Sequence, residues 1–484
     1  MQKKIVGALA ALLLLVAVGA YLTTNTRLFK DSPNIVIILT DDMDDALMPV
    51  MEKTNRIIGD EGATFTNFFI TTPACCPSRT SILRGQYSHN TGILENSPGF
   101  PLFYRLEREK DALPVWLNKA GYQTAMFGKY MNNYPVPAGW EYIPPGWTDW
   151  AAFIGVTGNR FYYDYTLNDN GTVVEYGDSP EDYSTDMIRK KSVQFIDKNA
   201  ADGTPFLLFI SVYAPHGPNT PAPRHQDLFH DLTYPQKPSF AEEDISDKPE
   251  IVRALTESGG TFDEYDANAF FQARARTMLA VDELVEDVVR TLERNGQLEN
   301  TYIIFTSDNG FHLGEHRLPS GKALPYEEDI RVPFLIRGPG IAPGSQVTQL
   351  TANIDLAPTI ADIVSVRTPA FVDGRSFLPL LQGADVNWRK GLLIEFGYME
   401  TEGSAIGAGG FRGIRAETFV FVEYENGELE YYDLVADPYQ LENMAGRLSA
   451  PTLALLREWL DQLRECEANT CRELEQTPPA GIVD

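Results

Sequence analysis

The chain has 484 residues, 43% hydrophobic and 22% charged, an ordinary globular balance that excludes wholesale disorder and fibrous structure. Asp plus Glu number 67 against 40 Lys plus Arg, a formal net charge of −27. A surface this acidic repels nucleic acid, whose binding rests on Lys and Arg neutralising phosphates, and it disfavours long polyanions unless one basic cleft overcomes the field.

Lys3 and Lys4 precede an uncharged apolar run from Ile5 to Leu22. A basic start followed by an apolar stretch is an export signal, not part of a fold, yet a run of this length also just suffices to span a bilayer. Residues 1–30 are therefore expected to be a signal peptide, with Val18-Gly19-Ala20 as its cleavage site, or a retained membrane anchor. Either way the remaining chain is expected outside the cytoplasm, secreted or anchored at the membrane.

Asn34 to Leu39 is rich in β-branched residues without alternation, which predicts a strand buried on both faces, as in parallel sheets. Ala112 to Ala120 predicts a helix stopped by Gly121, and Tyr122 to Phe127 a second strand. Ser184 or Thr185 is placed to cap a helix whose inner positions include Met187, Ile188, Phe195 and Ile196. Pro205 to Tyr213 and Thr301 to Thr306 read as further strands. Between them Ala267 to Asn295 forms a long amphipathic helix ended by Gly296. Such alternation argues for an α/β fold, a mostly parallel sheet flanked by helices, over residues 33–384. The polar, Pro-rich stretch from Pro218 to Asp266 has no clear period and reads as an excursion over the strand ends.

The pattern changes near residue 385. Phe411 to Glu423 and Glu428 to Asp433 flank Asn426-Gly427 and predict an antiparallel hairpin. One helix, Ala450 to Cys466, follows, so residues 385–484 are expected to form a small α+β carboxy-terminal domain. In an exported protein Cys466 and Cys471 are expected to close a local disulfide. Cys75 and Cys76 are adjacent, where a disulfide would be badly strained.

Ligands of open parallel sheets bind where the strands end. The predicted strands run into Asp41-Asp42, Gly128-Lys129, Pro215-His216 and Asp308-Asn309. Three acids and an amide oxygen at one sheet edge make a hard-oxygen set suited to Ca2+ or Mg2+, not to zinc.

Residues 75 to 85 read Cys-Cys-Pro-Ser-Arg-Thr-Ser-Ile-Leu-Arg-Gly. The stretch resembles the sulfatase signature Cys-x-Pro-Ser-Arg-x-x-x-Leu-x-Gly. The resemblance implies an alkaline-phosphatase-like fold and a first cysteine, here Cys75, oxidised to formylglycine by a formylglycine-generating enzyme. It further implies one divalent cation, usually Ca2+ with Mg2+ as the alternative, held by Asp41, Asp42, Asp308, Asn309 and residue 75. Arg79, Lys129, His216 and Lys322 match family positions around the sulfate. Asp355-Leu-Ala-Pro-Thr359, Asp373 to Leu380 and Tyr432 to Pro438 are similar too.

Gly-Lys-Tyr-Met-Asn at 128–132 and Phe311-His-Leu-Gly-Glu-His316 look like the subgroup of N-acetylglucosamine-6-sulfatases and extracellular heparan sulfatases. Many sulfatases carry a histidine where this chain has Met131, and His312 or His316 stands as the candidate replacement base. Each is equally suited to a supporting or substrate contact, and His89 reads as a structural hydrogen-bonder.

The implied chemistry is release of sulfate from a small sulfated sugar or an aryl sulfate. A formylglycine gem-diol, its pKa lowered by the cation and assisted by Asp308, would attack sulfur. Lys129, Lys322 and Arg79 would hold the growing charge, and His216 or Lys322 would protonate the leaving alcohol. The competing enzyme class is a phosphodiester or phosphonate monoester hydrolase of the same superfamily. The non-enzyme reading is a Ca2+-dependent binding module with an unmodified cysteine.

Overall fold

A computed structural model of the chain describes residues 32–155, 160–259, 264–397 and 410–482. The expectation of membrane anchoring is corrected. Among the described residues no helix is long and apolar enough to cross a membrane, and the Ile5 to Leu22 run lies outside them, so nothing supports an anchored form.

Ten strands form one sheet: β1 (Asn34–Thr40), β2 (Ala63–Phe65), β3 (Gln123–Gly128), β4 (Asp149–Ile154), β5 (Thr166–Asp169), β6 (Thr172–Glu175), β7 (Phe206–Ser211), β8 (Thr301–Ser307), β9 (Phe334–Arg337) and β10 (Ser345–Val347). Their order is β10-β2-β9-β8-β1-β7-β3-β4-β5-β6. The five central strands from β8 to β4 are mutually parallel. The strands flanking them, β9 and β5, run antiparallel to their neighbours.

The pleat explains why β1 lacks alternation. Ile35, Ile37 and Leu39 enter the core on one face, Val36 and Ile38 the core on the other, and all are fully buried. Each such burial contributes about 1.5–3 kcal/mol. On the first face lie α1 (Cys75–Arg84) and α2 (Leu113–Lys119), and on the second α3 (Ser184–Asp202) and α4 (Glu264–Arg294). The predicted hydroxyl cap of α3 is not made: Tyr183 holds the cap position without a side-chain bond, and Ser184 is instead the first helical residue. Its N–H is taken by the Tyr162 carbonyl.

A second, antiparallel sheet of four strands follows, β11 (Gly391–Phe396), β12 (Phe411–Ala416), β13 (Phe419–Tyr424) and β14 (Leu429–Asp433). The expected single strand from Phe411 to Glu423 is two, because the chain reverses at Glu417-Thr418. The Asn426-Gly427 turn stands as expected, with Gly427 at φ 85°. Beyond it, the one expected helix is two, α5 (Ala450–Leu463) and α6 (Asn469–Gln476). The Cys466–Cys471 disulfide is formed and ties the segment after α5 to α6.

His89, in a short helix after α1, is tied to the second sheet. Its backbone N–H and Nδ1 both lie 3.0 Å from Glu395 Oε1 on β11, and Nε2 lies 3.0 Å from the Cys466 carbonyl. With acceptors at both ring nitrogens the imidazole is doubly protonated. Burial opposes that charge, but the buried Glu395 carboxylate outweighs it and raises the His89 pKa from 6.5 to about 9. The resulting stabilisation is complete below the unfolded pKa and is lost as pH rises through the folded one. Unfolding of the native protein and of His89→Gln, compared across this window, should show a native advantage of about 3 kcal/mol at the acid end that fades toward alkaline pH. A difference that stays flat with pH would show that the pair carries no linkage.

Candidate active site

The parallel register puts the ends of β1, β7, β3 and β8 side by side, with Leu39 opposite both Ser211 and Thr306, and Gly128 opposite Ser211. Gly128 is obligatory there. It sits at φ 116°, and a Cβ would lie 1.8 Å from the Ser211 carbonyl oxygen. Only a glycine lets β3 run close enough for Lys129 to turn into the cluster.

Cys75 opens α1, and its Sγ is the meeting point of the group. Lys322 Nζ donates to it at 2.7 Å, and it contacts Asp41 Oδ1 at 3.4 Å. Lys322 also pairs with Asp42 and reaches Asn309 Oδ1 at 3.5 Å. Lys129 pairs with Asp41 and lies 5.5 Å from the centre of the Tyr213 ring. Arg79 Nε binds Asp308 Oδ2 at 2.7 Å, and its Nη1 binds the Lys129 carbonyl and Ser211 Oγ, each at 2.7 Å. Its Nη2 is buried without a hydrogen-bond partner, 4.0 Å from Asp41. His216 Nε2 lies 3.8 Å from Asp42 Oδ2, and its Nδ1 is 2.7 Å from the Gly217 carbonyl. With Nδ1 held at that carbonyl, Nε2 is turned toward the cluster.

Three carboxylates thus face three cations inside the protein, and the charges differentiate the acids. Burial disfavours the Asp41 anion, but Lys129, His216, Arg79 and Lys322 together hold its pKa well below the usual range. Burial also works against Asp42, which Lys322 and His216 keep low. At Asp308 burial and the neighbouring Asp41 charge prevail over Arg79, and the pKa is raised. Burial, then Asp41, pushes the Cys75 thiol up to about 12. An unconverted Cys75 would be a protonated thiol at neutral pH and a poor nucleophile.

The donor set fits a hard cation. Ligand atoms of Asp41, Asp42 and Cys75 lie within 4.8 Å of one another. Asn309 Nδ2 donates to Asp42 Oδ1 at 2.8 Å, and Asp308 Oδ1 accepts the Asp42 N–H at 3.2 Å, so all four polar residues share one locus. Carboxylate and amide oxygens with no imidazole among them suit Ca2+ or Mg2+.

Sequence reasoning singled out His312, and the structure sets its ring against Asp329, with Nδ1 to Oδ1 at 2.8 Å. Asp329 also accepts the Leu324 N–H, and His312 exchanges backbone bonds with Gly321. The histidine thereby braces both sides of Lys322. His316 is turned away into a pair with Glu242 at 2.6 Å. Ser211, Tyr213 and Arg274 were missed. Ser211 could have been found as the last residue of a buried strand, and Arg274 as a charge on the apolar face of a helix.

Beside Lys129 and His216 opens a cavity of about 690 Å3, of a size usual for small-ligand sites. Its walls include Trp140, Phe161, Tyr213, Asn96 and Asn132, with Met131 among them. Trp140 is 54% exposed, and its ring lies over Gly155.

A mostly parallel sheet delivering carboxylates, lysines and a cysteine to one edge defines an alkaline-phosphatase-like ester hydrolase. The Sulfatase family model matches residues 33–366, and the model for the carboxy-terminal part of N-sulphoglucosamine sulphohydrolase matches residues 314–466. The N-acetylglucosamine-6-sulfatase of Homo sapiens is 35% identical, over 96% of this chain and 90% of that protein. The extracellular sulfatase SULF-1 homolog of Drosophila melanogaster is 41% identical over 75% of this chain, but over only 33% of its own length. Among solved structures, BT4656 in complex with its substrate D-glucosamine-2-N,6-O-disulfate superposes with a TM-score of 0.77 at 25% identity, covering 92% of this chain and 99% of that one. The phosphonate monoester hydrolase of Agrobacterium radiobacter shares the fold, with a TM-score of 0.68 at 20% identity over 89% of this chain and 94% of its own. The chain belongs to the sulfatase family and is a hydrolase of sulfate esters.

Proposed function

We propose that the protein removes sulfate from a sulfated amino sugar of the N-acetylglucosamine-6-sulfate type. The reading further assigns Asp41, Asp42, Asp308 and Asn309, with residue 75, to one Ca2+, and Cys75 to conversion into formylglycine by a formylglycine-generating enzyme. The observation that carries it is the convergence of Cys75, Lys322, Lys129 and Asp41 in one cluster, whose Lys129 also lines, with His216, an aromatic and amide-walled cavity. The names of the relatives, an N-acetylglucosamine-6-sulfatase and a complex with a glucosamine disulfate, support a sugar as the substrate.

When bound, the cation supplies charge withdrawal from oxygen, and the converted residue supplies a hydroxyl nucleophile on a hydrated aldehyde. This chain's own residues do the rest. Lys322, on the sulfur of residue 75, and Lys129, paired to the neighbouring Asp41, clamp the sulfate oxygens as charge grows on them. Arg79 spends two of its nitrogens holding Asp308, the Lys129 carbonyl and Ser211, and keeps Nη2 for the reacting group. His216, whose Nε2 faces the cluster, is the group placed to give a proton to the departing sugar oxygen. His312 acts on Lys322 by fixing its loop.

Free sulfate release from sulfated mono- and oligosaccharides and an aryl sulfate, with and without a chelator, tests the reading. A sulfated amino sugar should be the best substrate, and chelation should abolish turnover. Turnover indifferent to chelation, or a phosphodiester cleaved faster than any sulfate, would overturn it. Trp140 offers the sugar ring an exposed indole face, so Trp140→Ala should raise KM for the sugar sulfate about 5- to 10-fold, the worth of one aromatic contact, with kcat nearly unchanged. An equal loss on the sugar and a small aryl sulfate would contradict that role.

A further inference from the structure

We propose that Arg274 is a positioning residue that sets the cation affinity of the sheet-edge cluster by locking the backbone of Asp42. The inference rests on the Ca2+ assignment just made and goes beyond it to a residue outside the donor set.

Asp42 sits at φ 68°, a left-handed conformation that residues with a Cβ seldom adopt. It persists because its surroundings fix it. The Asp42 N–H goes to Asp308 Oδ1 at 3.2 Å, and its carboxylate meets Lys322 and Asn309. Its carbonyl oxygen accepts a bond from Arg274 Nη2. The unusual φ is what turns the carboxylate toward Cys75, while the carbonyl faces the long helix.

Arg274 belongs to α4 and is 1% exposed, with Phe271, Ala275 and Met278 of the same helix in the apolar core. A guanidinium there is costly unless paired. Its partners all belong to the two loops that carry the oxygen donors. Besides the Asp42 carbonyl, Nη1 lies 2.9 Å from Asp44 Oδ2, an ion pair not aligned as a hydrogen bond. The guanidinium also covers the ring of Phe311, 4.4 Å from its centre and two residues past Asn309. One side chain therefore spans the loop after β1 and the loop after β8, which share no covalent connection nearer than the sheet itself. Removing it frees Asp42 to relax to negative φ, swinging one donor out of the set.

Supporting residues behind metal ligands are worth about 10- to 100-fold in affinity. Calorimetric titration of CaCl2 into chelator-stripped protein should show a Kd raised by that factor in Arg274→Met, and by a smaller factor in Arg274→Lys, which keeps the charge beside Asp44. The Ca2+-dependent rise in Tm should shrink in parallel, and sulfate release should return at high Ca2+. A merely structural role would lower the Tm in chelator and leave the Kd where it was. A Kd within twofold of the native value in a folded variant overturns the proposal. Should Arg274→Met fail to fold, Arg274→Lys decides by the same criterion. If the native protein itself takes up no Ca2+, the cation assignment falls first and this inference with it, an outcome told apart because it appears before any variant is compared.

Discussion

Cys75→Ala is expected to lower sulfate release by about 10^4-fold or more, the scale on which loss of a covalent nucleophile is felt, while the protein remains folded. The geometry separates the two effects. Lys322 keeps its pair with Asp42 when Sγ is removed, and Lys129 keeps its pair with Asp41, so no buried charge is orphaned. Cys75→Ser is the sharper variant, because it leaves a hydroxyl in the same place that cannot be oxidised in the same way. Its loss should be close to that of alanine if the converted residue is required. Peptide mass mapping of active native protein checks the premise. An intact thiol at residue 75 in fully active material, or a serine variant within tenfold of native, would defeat the assignment.

The largest stability effect is expected at Arg389→Met, a loss of about 3–5 kcal/mol. Arg389 is completely buried. It holds Asp355 through both terminal nitrogens at 2.6 and 2.7 Å, and Glu475 through Nε at 3.0 Å. Glu475 on α6 is also bound by Arg375 at 2.8 Å and by the Tyr87 hydroxyl at 2.5 Å. Removing the one guanidinium that serves both carboxylates leaves the buried Asp355 without its countercharge, held only by the N–H groups of Ala352 and Arg375. Denaturant unfolding reads the loss. A triple variant with Asp355→Leu and Glu475→Leu should recover part of it, since a buried ionic group exchanged whole for apolar residues is often neutral. A single-variant cost below about 1 kcal/mol would mean that water reaches the cluster.

The same network shows what the sequence could and could not convey. Strand identity in the parallel core was legible because unbroken Ile/Val/Leu runs have one common solution, burial on both faces. The residues just past those runs, Asp41, Asp42, Lys129, His216, Asp308 and Asn309, were legible as a group for the same reason. Asp355 and Asp373 were recognisable as family-like, but not what they do. Asp355 neutralises Arg389, and Asp373 accepts from the N–H groups of Tyr87 and Ala468. Partners separated by tens to hundreds of residues leave no local periodicity. The reversal at Glu417-Thr418 was hidden because it lacks glycine, proline or asparagine, the residues that mark a turn. Strands β5 and β6 were missed because their sequences are short and mixed, held by pairing at the sheet edge rather than by their own pattern.

Cys75 is 1% exposed at the start of α1, with Lys322 and Asp41 packed against its sulfur. A second enzyme could not lay its own catalytic groups around that sulfur once the sheet has closed. If the residue is remade, the timing is set by biogenesis: the nascent polypeptide has to be intercepted while still extended, and copies that collapse sooner become a stable, inert population. Slow-folding or over-produced preparations should accordingly differ in the fraction of competent molecules, not in how fast each competent molecule works.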